Sequence, residues 1–176
     1  MANGTLKVSN IQTSSGSGTI TLGQSGETIT SSAAMGSGMG KVLNVYTNVH
    51  TTADSTTSTS FVASSSAITL TPVSSSSRFL LIFNAVLEVT NGGRPEFTFY
   101  RDSTNLGGGH NSSIVRDQDT SNINVSYGMH KVDTPSTSSE IVYKMFYRSS
   151  NGNATYPNAG GEANFTIMEI AVWVVF

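Results

Sequence analysis

Arg78-Phe79-Leu80-Leu81-Ile82-Phe83-Asn84-Ala85-Val86-Leu87-Glu88-Val89 is the stretch from which the fold can be read. In an extended chain successive side chains point to opposite faces, so Phe79, Leu81, Phe83, Ala85, Leu87 and Val89 share one side. The other side opens apolar with Leu80 and Ile82 and turns polar at Asn84 and Glu88. This is a strand by its period of two, and at its apolar end it needs cover on both faces. Residues 165–176 repeat the pattern. Phe165, Ile167, Ala171, Trp173 and Val175 lie on one side, and Met168, Ile170, Val172, Val174 and Phe176 on the other, with Glu169 as the interruption.

Working outward, residues 122–130 alternate cleanly. Ile123, Val125, Tyr127 and Met129 face Asn122, Asn124, Ser126 and His130 across the strand, which marks a one-sided strand against water. Residues 42–46, 61–62, 68–71, 96–101 and 141–148 read as further strands, and 51–60, 72–77, 91–93, 107–109 and 151–161 as loops and turns. About ten strands spaced in this way predict an all-β fold, a jelly-roll-like β-sandwich. Each strand of a two-sheet sandwich should show one face to the core and one to solvent. The two doubly apolar strands therefore predict self-association, through Phe79, Leu81, Phe83, Ile167, Ile170, Trp173 and Phe176 as core and interface residues. Cover by loops or by the amino-terminal segment of the same chain is the alternative.

Composition agrees with strands. The 176 residues include 28 Ser, 22 Thr, 14 Asn and 17 Gly, all poor helix formers. Charged residues are 11% of the chain, against about 25% in an average soluble protein. With 9 Lys+Arg and 11 Asp+Glu the net charge is −2, which excludes a basic nucleic-acid face and an acidic tail. Cysteine is absent, so neither a disulfide framework nor a thiolate metal site is available. The apolar runs at 79–83 and 170–176 fall far short of the roughly 20 residues of a membrane helix, and no membrane insertion is expected. Met1-Ala2-Asn3-Gly4-Thr5 has neither a secretion signal nor a myristoylation glycine, so the product is expected to stay in the cytoplasm where it is made.

Residues 1–40 differ from residues 41–176. They hold no aromatic residue, two charges (Lys7 and Glu27) and many glycines, too little to build a core of their own. Short alternations occur around Leu6, Val8 and Ile11 and again at Ile20 and Leu22, with Ser/Gly turns between. Such a segment reads either as short strands completed by neighbours, as in an intertwined stalk, or as a flexible linker. Residues 31–40, with Met35 and Met39 among Gly, Ser and Ala, form a hinge to residues 41–176, the head.

The run Gly4-Thr5-Leu6-Lys7-Val8-Ser9-Asn10-Ile11, its Ser/Gly turn and Thr19-Ile20-Thr21-Leu22 resemble the opening of short tail-fibre and virion appendage proteins of marine, cyanophage-like bacteriophages. Gly40-Lys41-Val42-Leu43, Phe61, Ile68-Thr69-Leu70-Thr71-Pro72, the serines at 74–77 and Arg78-Phe79-Leu80-Leu81-Ile82 are similar to the same group. The resemblance covers residues 4–30 and 40–89. It implies a virion structural protein made in the host cytoplasm, a homotrimer whose residues 1–40 dock on other virion proteins and whose head contacts the host surface during adsorption. The group covers tail fibres as well as head decoration proteins, and it implies no catalytic residue.

Catalytic signals are weak. His50, His110 and His130 stand far apart in a chain crowded with Ser and Thr, and nucleophile-elbow, phosphate-loop and zinc-helix patterns are absent. Gly107-Gly108-Gly109 lacks the lysine and helix of a phosphate loop and reads as a turn. Asp117-Gln118-Asp119 reads as a solvated acidic loop before it reads as a cation site. Neither an enzyme nor a metal or other cofactor is expected. Sugars are held by aromatic faces and by amide, carboxylate and guanidinium groups, and loops at the end of a sandwich carry such groups. Arg94, Arg101, His110 and Tyr156 are the candidate contacts to a host-surface glycan.

Overall fold

Along Arg78–Thr90 the inward side chains Phe79, Leu81, Phe83, Ala85 and Leu87 are all buried, while Asn84 on the opposite face is exposed. The strand is central because its sequence offers both an apolar inner row and enough β-branched and long apolar residues to pair on two edges. The computed structural model describes residues 41–90, 94–108, 114–116, 123–149, 153–157 and 161–171. Leu6, Val8, Ile11, Ile20, Leu22, His110, Trp173 and Phe176 lie outside the described residues, which belong to the unit Gly40–Phe176.

Every described element is a strand: β1 (Val42–His50), β2 (Asp54–Thr56), β3 (Val62–Leu70), β4 (Arg78–Thr90), β5 (Pro95–Arg101), β6 (Thr104–Asn105), β7 (Val115–Arg116), β8 (Ile123–Asp133), β9 (Ile141–Ser149), β10 (Asn153–Tyr156) and β11 (Ala163–Ile170). They form two antiparallel sheets. In the first, β1 pairs with β11, β11 with β4, and β4 with β8 on its other edge. The short β10 prolongs the line of β11 along the far end of β4, and β2 pairs with β10. In the second sheet β3 pairs with β9 and β9 with β5, while β6 and β7 share the remaining edge of β5.

Three elements depart from the sequence expectation. Residues 51–60 and 151–161, expected as loops, contain β2 and β10, whose short polar runs become strands because each finds a partner edge. The two short strands expected at 61–62 and 68–71 are one strand, β3, irregular between Ala63 and Ala67, where four residue steps on β3 match two on β9.

The sheets enclose one core. Phe165 of β11 stacks on Phe99 of β5 with centroids 5.3 Å apart, and Phe79 of β4 lies 5.7 Å from Tyr143 of β9. Tyr156 of β10 meets Tyr147 of β9 edge-on at 5.1 Å. Each such fully buried large side chain contributes about 1.5–3 kcal/mol. Polar groups also tie layer to layer. Arg101 Nη1 of β5 donates to both carboxylate oxygens of Asp133 on β8, at 2.9 and 2.7 Å, and the Tyr143 hydroxyl donates to Asp133 Oδ2 at 2.7 Å. Glu169, the charge that interrupts the last apolar run, is fully buried. It accepts from Asn44 Nδ2 at 3.0 Å and from the Val73 backbone N–H at 2.7 Å, which holds the β3–β4 connection against the sheet.

Candidate functional site

The outward face of the first sheet follows from the pairing register. Rows run across its strands, and they change in chemistry from one end to the other. Val45, Met168, Leu80 and Val132 make one row, with Val42, Ile170 and the exposed Arg78 beyond it and Thr47, Thr166, Ile82 and His130 next to it. Val45 and Val132 are each 56% exposed and Val42 49%. Leu80, Ile82, Met168 and Ile170 are half-buried.

The following row is Val49, Asn164, Asn84 and Gly128, and here the face becomes polar. Asn84, Asn164, Ser126, Glu162 and Val86 surround an open hollow of about 280 Å³. Its floor depends on Gly128. A Cβ at this position would lie 2.8 Å from Asn84 Oδ1, so any larger residue would displace the Asn84 amide. Asn84, Asn164, Ser126 and Glu162 are all exposed, which opens their donors and acceptors to solvent. Two amides, a hydroxyl and a carboxylate around a shallow hollow can satisfy a polyhydroxylated ligand.

The residues expected to touch a glycan are not brought together. Tyr156 is a correction: it lies in β10 with no exposure, its ring within the core and its hydroxyl donating to Asp54 Oδ2 at 3.1 Å. Asp54 also accepts from the Ser65 N–H at 2.7 Å and the Ser65 hydroxyl at 3.0 Å, so the carboxylate joins β2 and β10 of one sheet to β3 of the other. His50 Nε2 stands 3.7 Å from the same carboxylate, beyond hydrogen-bond distance. Arg101 is likewise no free contact, since its guanidinium is paired with Asp133. Arg94 is exposed just before β5. Of the interface and core residues, Phe79, Leu81, Phe83 and Ile167 are buried and Ile170 is half-buried on the outward face.

The core tyrosines share one electrostatic property. Burial first, and then the neighbouring carboxylate, raises the phenol of Tyr143 far above the ordinary value near 10; burial and Asp54 push Tyr147 up to about 12; burial, with Asp54 beside it, raises Tyr156 as well. A raised phenol means that the folded state holds the proton more firmly than the unfolded state. Their contribution is therefore complete below about pH 10, the unfolded value; that of Tyr147 is lost as pH rises through about 12, and that of Tyr143 and Tyr156 at higher pH still. In an alkaline titration we expect phenolate absorbance from these residues to rise together with loss of the fold. Smooth ionisation near pH 10 with strand structure intact would show that they are not enclosed.

Sequence reasoning missed Val45, Val132, Asn84, Asn164 and Gly128 as a surface. The signal was partly there, because Leu80, Ile82, Met168 and Ile170 occupy the second face of strands already recognised as doubly apolar. The chain matches no protein-family model and no curated protein. What can be stated of its class is that it is an all-β protein of two antiparallel sheets.

Proposed function

We propose that this chain is a structural protein of a bacteriophage virion, a homotrimeric fibre or knob-like appendage that contacts the host surface during adsorption. In this reading residues 1–40 attach it to other virion proteins and residues 41–176 form a jelly-roll head. Its work is assembly and contact, without turnover of a substrate. The observation that carries the reading is the exposed apolar end of the first sheet in a chain so poor in charge, which suits a protein working as assembled copies. Strand order supports the jelly-roll part. With β1 and β2, β6 and β7, and β10 and β11 each counted as one line of chain, the eight lines run 1-8-3-6 in one sheet and 2-7-4-5 in the other, the order of two interleaved Greek keys.

Imaging purified particles with and without this protein tests the proposal. Trimers projecting from the tail are expected. Many copies on the head lattice would replace adsorption with capsid decoration, and absence from the particle would overturn the virion reading altogether.

A second reading, a glycan-binding module, is favoured by the amide-lined hollow. It moves the sugar contact from the loops to the sheet face. Titration calorimetry with host-surface polysaccharide fragments should then show Asn84→Ala and Gly128→Val each weakening binding by about tenfold, the worth of roughly one hydrogen bond, 1.4 kcal/mol. Unchanged affinity in both variants would remove the hollow from the account.

A further inference from the structure

We propose that the hollow on the outward face of the first sheet selects a sugar ring carrying a free amino group, which Glu162 holds as an ammonium. The proposal rests on the reading of this chain as a glycan-binding module and adds the class of sugar. Its basis is where the polar groups stand. Asn164 and Asn84 are register partners on β11 and β4, and Asn84 faces Gly128 on β8. Two residues further along β4, Val86 faces Ser126 of β8. Glu162 lies on the other side of Val86, because the next residue, Ala163, pairs with Ala85. The hollow therefore has a floor of Val86 and Gly128 and two amides along one flank. Its hydroxyl and its carboxylate stand at opposite ends, two strand spacings or about 10 Å apart.

Size and charge name the occupant. The volume of about 280 Å³ is just under the roughly 300 Å³ at which pockets for drug-sized ligands begin. One ring fits over the half-buried Val86, and the amides and the hydroxyl meet its hydroxyl groups. The charge at the Glu162 end is negative, since Glu162 is exposed and no Lys or Arg lines the hollow. The next row beyond Val86 holds Glu88, and the next row beyond Gly128 holds His130, on the side away from Glu162. Asn158-Ala159-Gly160-Gly161, which leads into Glu162, brings no charge. A ligand ammonium is therefore attracted to this end and a ligand carboxylate repelled. The lysine of a protein partner would also meet Glu162, but it would leave both amides and Ser126 unmatched. An amino sugar uses all four groups.

The test is titration calorimetry on the full chain at mildly acidic pH, where the sugar amine is protonated. The ligands are the methyl glycosides of glucosamine and galactosamine, their N-acetylated forms, the matching glucuronide and galacturonide, and trilysine. Acetylation removes the charge and keeps the ring. The better-fitting amino sugar should bind about fivefold more tightly than its acetylated form, the upper end for an exposed ion pair, with the uronides weakest. That preference should fade in salt of about 1 M, where charges are felt over only about 3 Å. Glu162→Gln, with its strand circular dichroism kept, should bring the ratio of the two affinities to near one.

Equal affinity for the amino and acetylated sugars, or a preference that survives Glu162→Gln, would overturn the selection. The glycan reading would then still stand on the weakening of both ligands by Asn84→Ala. Trilysine binding as tightly as the amino sugars would overturn the sugar as the occupant. Absence of binding by all six sugars would overturn the selection and the glycan module together.

Discussion

Replacing Phe165 with alanine is expected to lower stability by about 3–5 kcal/mol, the range for removing a fully enclosed aromatic ring. Phe165 is 1% exposed and sits where the two layers meet. Its ring stacks on Phe99 from the opposite sheet at 5.3 Å and 13° and takes the edge of Phe83 at 6.4 Å. Both neighbours are anchored in strands paired on two edges, β5 with β9 and the β6–β7 line, β4 with β11 and β8. Neither can move in to fill the gap, so the loss includes the cavity as well as the transfer of the ring. With a urea slope of about 1–3 kcal/mol/M, the midpoint should fall by roughly one to five molar. Met168→Ala, three positions along the same strand on the outward face, should cost far less in a dissociated chain, and equal losses at the two sites would contradict the assignment of inner and outer faces.

Arg148→Ala should be almost as damaging, for an electrostatic reason. Glu96 in β5 is enclosed, its side chain 1% exposed, and Arg148 of β9 donates to Glu96 Oε2 from Nε at 2.9 Å and also from Nη2. The guanidinium in turn lies over the Phe61 ring, 4.4 Å from its centroid. Removing the cation strips a buried carboxylate of this partner, which typically costs about 3–5 kcal/mol, whereas replacing both partners by apolar residues of similar size is often close to neutral. Chemical denaturation of Arg148→Ala and of the double variant Glu96→Leu with Arg148→Met separates the two. The double variant should recover most of the loss. If it is as unstable as the single variant, the pair is holding something other than its own charges.

How much of this was legible before folding varies by element. The central strand β4 declares itself, since Phe79, Leu81, Phe83, Ala85, Leu87 and Val89 recur at a period of two, and β8 and β11 follow by the same period. The short β2 and β10 do not, because Ser, Thr and Asn have no preference strong enough to mark a strand of three or four residues. They are strands because β4 offers β10 an edge and β10 offers one to β2. Tyr156 shows the same limit. Beside Pro157 and among Asn and Gly it has the local context of an exposed loop aromatic, and only the pairing of β10 turns its ring onto Tyr147 and its hydroxyl onto Asp54. Arg101 and Asp133, 32 positions apart, become a pair through the closing of one sheet over the other.

The sequence by itself therefore determined the all-β class, the inner rows of the long strands and the presence of a second apolar face, because these depend on alternation within a single stretch of chain. The tertiary structure alone decided which outward residues become neighbours. Val45, Met168, Leu80 and Val132 come from four strands, and Asn84, Asn164 and Gly128 from three. Their adjacency is a matter of strand order and register, and register is set cooperatively by the whole buried face, so no local run of residues carries it.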